Sequence, residues 1–152
     1  MLSRIVQLST SPEDPVTEYM FYDNFFVREV ADYIKEADPD ERDRDLDWIF
    51  PASAFEVDKK AGTVTIQNRM AYFKGRFTEW RRAYDSLGGI SLETFASPEM
   101  EGKHFTLQMS CDNKFGVYIT DWIGCYQTLD SWLRHTQDGS VWYIGAMMDY
   151  HF

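Results

Sequence analysis

The sequence has little of what marks secreted, membrane-spanning or disulfide-rich proteins. It contains only two cysteines, Cys111 and Cys125, and no apolar run approaches the ~20 residues that a membrane-spanning helix requires. Its first eight residues are too short and too polar for a secretory signal. The two cysteines are predicted to lie at opposite ends of one hairpin strand, too far apart for a disulfide. We therefore expect a cytoplasmic protein with two free thiols.

The motifs of common catalytic and cofactor sites are also missing. Nine glycines are present, but none forms a Gly-rich loop between a strand and a helix, as nucleotide binding by the P-loop or dinucleotide fingerprint requires. Asp43-x-Asp45-x-Asp47 is similar to the start of a calcium loop, but Trp48 occupies the position where a glycine must turn the chain. The three histidines stand singly, without metal-ligand spacing, at His104, His135 and His151. The sequence therefore predicts no cofactor, no metal site and no recognisable catalytic set.

What is present is enough apolar material for one core. The 152 residues are 44% hydrophobic and 16% aromatic, and no linker or repeat divides them, so residues 1–152 are predicted to form a single domain. Changes between helical and alternating periodicity predict an α+β fold, with a mostly antiparallel sheet and about three helices packed on one face. The predicted element order is β-α-ββ-α-βββ-α-β.

The predicted elements follow from periodicity and turn residues. Helices are expected at 24–37, 69–87 and 128–135. The second is expected to bury a stripe formed by Met70, Phe73, Phe77, Trp80, Tyr84 and Leu87. Residues 38–47 are expected to be a loop or a short solvated helix. Strands are expected at 4–9, 54–58, 63–67, 90–95, 104–110, 115–123 and 141–144.

Negative charge is concentrated in one segment. Residues 13–47 contain 13 acids and four bases, a net charge of −9, whereas the rest of the chain contains 12 acids and 11 bases, a net charge of −1. Such a field opposes direct binding to nucleic acid or to an anionic membrane. The segment is either a solvated surface that promotes solubility, a partner for the basic face of the second helix, or a recognition surface for a cationic protein.

We favour the last interpretation. Carboxylates that replace phosphates at a Lys/Arg-lined groove would make the chain a non-enzymatic inhibitor of a nucleic-acid-binding protein, as in DNA-mimicking anti-restriction and anti-CRISPR proteins or nuclease-immunity proteins. Aromatic residues close to the acids would serve as apolar anchors. The predicted partner-binding residues are Asp38, Asp40, Glu41, Asp43, Asp45, Asp47, Phe21, Tyr22 and Trp48.

Two other functions remain open. The chain could bind or transform a small molecule in an aromatic-lined pocket formed by Trp122, Tyr126 and Trp142 with His104 or His135. It could instead be a structural subunit of an obligate assembly, or a homo-oligomer, in which the apolar final strand from Val141 to Met148 pairs with another chain at a sheet edge.

Overall fold

The computed structural model describes residues 3–14, 31–111, 116–123 and 125–151, and these form an α+β fold as predicted. Its strands are β1 (Arg4–Ser9), β2 (Tyr33–Glu36), β3 (Phe55–Asp58), β4 (Thr63–Ile66), β5 (Val117–Thr120), β6 (Tyr126–Thr128) and β7 (Val141–His151). Its helices are α1 (Pro39–Ile49), α2 (Arg69–Asp85), α3 (Leu92–Phe95), α4 (Glu99–Cys111) and α5 (Leu129–Arg134). Within the described residues no helix combines the length and apolar character needed to cross a membrane.

The seven strands form one mixed sheet in the order β3-β4-β7-β1-β5-β6, with β2 also paired to β7. Only the β1–β5 pairing is parallel among the described strands, so the sheet is mostly antiparallel, as expected. The long strand β7 pairs with β1 on one side and with β4 and β2 on the other. The predicted edge position of the final strand is therefore wrong, because both of its sides already have neighbours.

Alternate residues of the central strands face two separate cores. Val6 and Met147 belong to the larger cluster, whereas Ile5 and Met148 belong to the smaller cluster on the opposite face of the sheet. Helices α1, α2 and α5 cover the larger cluster, to which Leu46, Tyr72 and Trp132 contribute respectively, among others. Three helices on one face agree with the prediction.

Several predicted elements are wrong. Residues 33–36 form β2, not the end of a helix, and the rest of the predicted helix up to residue 30 lies outside the described residues. Residues 92–95 and 104–110 are helical, in α3 and α4. The apparent strand alternation from His104 to Ser110 misled because α4 is rich in helix-forming Glu, Met, Leu and Gln and contains only one β-branched residue, Thr106.

Cys111 accordingly ends α4, so the predicted placement of the cysteines on one hairpin strand is also wrong. Cys125 is exposed and free.

The predicted buried stripe of α2 is wrong as well. Met70, Phe77 and Tyr84 are exposed, and Ala83 is the one buried residue of this helix. Only the first turns of α2 reach the larger core, through Ala71 and its neighbours Tyr72 and Phe73. The helix begins where predicted because the Asn68 side chain accepts a hydrogen bond from the Ala71 backbone N–H.

Candidate functional site

Helix α1 presents the acidic segment as an ordered surface. Pro39 occupies its first turn, where a missing N–H costs nothing, and Asp40 and Glu41 lie at the positive end of the helix dipole. Leu46 and Ile49 are buried against the sheet. The opposite face of the helix is exposed and carries Asp40, Asp43, Asp47 and Trp48, and Asp38 lies just before the helix. Of the two alternatives for residues 38–47, the helix is correct.

A buried ion cluster fixes α1 to the sheet. The Arg4 guanidinium on β1 donates from Nε to Asp45 Oδ2 at 2.7 Å, contacts the Asp149 carboxylate on β7, and lies 3.4 Å from Glu41 Oε2. Arg4, Asp45 and Asp149 are all buried. Because a buried charge is tolerated only when it is paired, this cluster defines the position of α1 on the sheet.

The cluster corrects one predicted site residue. Asp45 is 3% exposed and its carboxylate is occupied by Arg4, so it cannot belong to a surface that contacts a partner. At a spacing of two residues from Asp43 and Asp47, it lies on the inner face of the helix. Phe21 and Tyr22, the predicted aromatic anchors that precede α1, lie outside the described residues. Trp48, the third predicted anchor, is 58% exposed.

Only part of the acidic face is neutralised by nearby bases. Lys59 Nζ lies 2.7 Å from Asp47 Oδ2, and Arg44 Nη2 lies 3.8 Å from Glu41 Oε1. Within the described part of the chain, no salt bridge joins the acidic helix to the basic residues of α2, contrary to the second alternative. The carboxylates of Asp38, Asp40 and Asp43 are left without an ion pair among the residues described here. These three acids are therefore the free negative charges of the face.

A third buried carboxylate, which the sequence did not point to, joins α2 to α5. Asp130 accepts hydrogen bonds from the Tyr72 hydroxyl at 2.6 Å and from Arg76 Nε at 3.0 Å. Burial, and then the negative charge of Asp130, raise the pKa of Tyr72 well above that of an ordinary tyrosine. Burial is the largest single influence on the pKa of Arg76 and lowers it, but Asp130, Tyr72 and Glu79 together raise the pKa of this guanidinium by more. Both donors remain protonated at neutral pH, so Asp130 is held by two hydrogen bonds as a structural link between helices.

Cavities lie on both sides of this link. One of about 190 Å³ is bounded by Trp48, Tyr72, Arg76 and Asp130. Another, of about 290 Å³, lies between α2, α4 and α5, and three of its seven lining residues are aromatic. Its lining consists of Phe73, Arg76, Phe77, Trp80, Ser110, Asp130 and Arg134.

The aromatic residues predicted to form a pocket do not come together. Trp142 packs on Trp132 in the larger core, with ring centroids 5.4 Å apart, whereas Tyr126 packs against the smaller core on the other face of the sheet. Trp122 is exposed. His104 is exposed on α4, and exposed His135 uses Nδ1 to contact the Ser131 carbonyl at 2.8 Å. That pocket is therefore not formed by the predicted residues.

Comparison with protein-family models, with curated proteins and with solved structures finds no match to this chain. Among the described residues, no group of three or more His, Cys, Asp or Glu side chains is placed to hold a metal ion.

Proposed function

We propose that this chain is a protein-binding domain that uses the outer face of α1 to occupy a cationic site on another protein. The observation that supports this most strongly is the set of carboxylates on Asp38, Asp40 and Asp43 that have no ion pair among the described residues, beside an ordered helix whose inner face is fixed by buried Arg4. Trp48, exposed at the end of the same helix, provides an apolar anchor of the type that dominates interface energetics.

The rigidity of α1 makes this surface suited to binding. A disordered acidic segment would lose conformational entropy when it docks, whereas a helix fixed by the Arg4 cluster has already lost it on folding. Exposed carboxylates also attract a cationic partner over long range and raise the association rate.

We further propose that the partner is a nucleic-acid-binding protein and that this chain inhibits it by imitating phosphates. Asp40 and Asp43, two of the three acids without an ion pair among the described residues, lie three residues apart, which corresponds to about 4.5 Å along the helix axis. This spacing is of the same order as the ~3.4 Å axial separation of phosphates in one DNA strand. The net charge of −10 disfavours nucleic acid itself as the ligand.

Charge reversal on α1 tests the proposal. The partner is captured from host lysate at low salt, and its binding kinetics are then compared with wild type and with the double variant Asp40→Lys/Asp43→Lys. Asp45 is left unchanged because it is buried. We expect association at least ~10-fold slower with a weaker salt dependence, and a nearly unchanged dissociation rate, because exposed charges act mainly on encounter.

A matched control separates the α1 surface from total charge. Glu56→Lys/Asp32→Lys makes the same change of charge at exposed positions on β3 and just before β2, outside α1, and should leave the association rate within about twofold of wild type. Equal slowing by both double variants, or no slowing by either, contradicts the proposal. Duplex DNA is then added as a competitor for the captured partner. It displaces this chain only if the partner itself binds nucleic acid, so this experiment tests the phosphate-mimicking part of the proposal separately.

A second candidate function, binding of a small molecule, is favoured by the cavity of about 290 Å³ between α2, α4 and α5, which is lined in part by Phe73, Phe77 and Trp80. Its volume is at the lower end of ligand pockets, so it fits one ring with a small substituent. Arg134, which lies 5.4 Å from the centre of the Phe73 ring, would attract a carboxylate substituent on the ring of the ligand. Line broadening of benzoate in ligand-observed NMR, abolished by Arg134→Ala, is the expected result. No broadening with the wild-type chain contradicts this candidate.

A further inference from the structure

Residues 74–110 form a helical arm, made of α2 beyond its first turns together with α3 and α4, that has almost no core of its own. Ala83 is the only buried residue of the arm. Neither core cluster contains a residue from it. Helix α4 packs against α2 and α3 packs against α4, so the arm is held mainly by contacts between its own helices.

The arm exposes an unusual amount of apolar surface. Its five large exposed hydrophobic side chains are between 50% and 77% exposed: Phe77, Tyr84, Leu92, Phe95 and Phe105. Trp80 stacks between Phe77 and Tyr84, with ring centroids 6.0 and 5.4 Å away, so three aromatic rings form a continuous ladder along α2. Ordering such a segment costs conformational entropy at every residue, and its side chains other than Ala83 are at best partly buried.

The exposed area is close to what an interface needs. Large aromatic side chains present roughly 150–250 Å² each, so the five exposed residues together leave roughly 600 Å² open. This summed area, distributed over α2, α3 and α4, approaches the ~800 Å² that each partner buries in a standard interface.

The charges of the arm indicate what covers it. The arm contains five acids and five bases, a net charge of zero, although the whole chain carries −10. Its α2 portion is basic (+2, four bases and two acids) and residues 92–110 are acidic (−2, three acids and one base). Within the described part of the chain, Lys74 and Arg82 on α2 and Glu93 and Glu101 on α3 and α4 have no ion pair. A surface with one basic and one acidic half complements a second copy of itself.

The arm has grooves as well as exposed rings. A groove of about 480 Å³ lies between α2 and α4, and another of about 550 Å³ lies between α3 and α4. The exposed rings are the protrusions that such grooves receive. A two-fold contact, in which each copy offers the same surface, pairs protrusion with groove and basic helix with acidic helices at the same time.

We infer that the arm is a homodimerisation surface, through which two copies of this chain pack antiparallel with α2 of one copy against α3 and α4 of the other. The neutral arm lets two strongly acidic molecules associate without bringing their α1 surfaces together. Each dimer then presents two acidic surfaces, so it can engage two cationic sites at once.

Sedimentation velocity of the full chain tests the inference over a range of concentrations. We expect wild type to sediment as a dimer of the 17.9 kDa chain and to dissociate on dilution. Phe77→Glu places a charge in the middle of the ladder and should raise the dimer dissociation constant at least ~10-fold, because a charge buried without a partner is unfavourable. Trp48→Glu is the matched control, since Trp48 (58% exposed) and Phe77 (60% exposed) are almost equally accessible and only Phe77 belongs to the arm.

Two results overturn the inference. A wild-type chain that remains monomeric at every concentration shows that the occupant of the arm is a different molecule or that nothing covers it. Equal dissociation constants for wild type and Phe77→Glu show that the dimer forms elsewhere. If Phe77→Glu fails to fold by circular dichroism, hydrogen exchange of wild type decides: protection of α2, α3 and α4 amides should increase with protein concentration, and unchanged protection refutes the inference.

Discussion

The buried Arg4 cluster makes the strongest prediction about stability. In an Arg4→Met variant, Asp45 loses the two Arg4 nitrogens that lie 2.7 and 2.6 Å from its Oδ2. Among the described residues it keeps only one base, Arg44, whose Nε lies 3.7 Å from Oδ1. In the part of the chain that the structure describes, Asp149 keeps only Lys35, whose Nζ lies 3.6 Å away. Both remaining bases are exposed, so their charges are screened by water.

The expected loss follows from this geometry. Removing one partner of a buried ion pair costs about 3–5 kcal/mol, and because two carboxylates are stranded here we expect the upper part of that range, about 4–5 kcal/mol. This is a large share of the ~5–15 kcal/mol that stabilises a typical domain. It corresponds to a decrease in Tm of roughly 8–20 °C for a chain of this size.

Urea denaturation at neutral pH measures the change in the free energy of unfolding. The control is Arg44→Met, which removes an exposed base near the same Asp45 and should cost less than about 1 kcal/mol. Adding Asp45→Asn and Asp149→Asn to Arg4→Met should recover part of the loss, because the stranded charges are then removed. If Arg4→Met alone costs less than about 1 kcal/mol, the cluster does not fix α1 to the sheet.

Two further predictions test the packing around the central strands. Gly145→Ala should lower the free energy of unfolding measured with denaturant by about 1–3 kcal/mol, because the new methyl group would lie 2.9 Å from Gln7 Cδ and displace the side chain that accepts a hydrogen bond from the Ala146 N–H. The control Gly75→Ala in α2, where the space around the glycine is open, should instead raise it by up to about 1 kcal/mol. Equal effects of the two substitutions would refute this account. Burial is the main cause that raises the pKa of Tyr72 and Tyr150 in the folded state. Their stabilising effect is therefore complete below the unfolded tyrosine pKa of about 10 and is lost as the pH rises above it. The denaturant concentration at the unfolding midpoint should accordingly decrease when the pH is raised beyond about 10. In a variant with Phe at both positions this decrease should be smaller.

The two proposed surfaces use different parts of the molecule. The acidic face of α1 lies over the larger core, whereas the arm extends from the C-terminal part of α2. Phe77→Glu should therefore change the oligomeric state without changing the intrinsic association rate of α1 with its partner, and Asp40→Lys/Asp43→Lys should do the opposite. A bivalent partner would lose additional affinity with Phe77→Glu because avidity disappears.

The sequence by itself determined those local elements whose residue pattern is compatible with only one secondary structure. The alternation before and after Gly62 predicted the β3–β4 hairpin, since a period of two assigns each side chain to one face, and Gly62 takes the positive φ of 66° that the turn requires. The Asn68 cap and the turn at Asp138-Gly139 likewise located the starts of α2 and β7 within a residue or two. The concentration of negative charge in residues 13–47 is also a property of composition, readable without a structure.

Only the tertiary structure decided which of these residues are accessible. Asp45 looks like its neighbours in the sequence, but a base 41 positions earlier in the chain, Arg4, removes it from the surface. Phe77 has the spacing of a core residue, yet α2 leaves the sheet before reaching it. The final strand is apolar enough for either an edge or the centre of a sheet, and its place was settled by pairing with β1, which lies more than 130 residues away. Local patterns specify which face a side chain shares with its neighbours, but burial depends on long-range contacts, and these are absent from any short window of sequence.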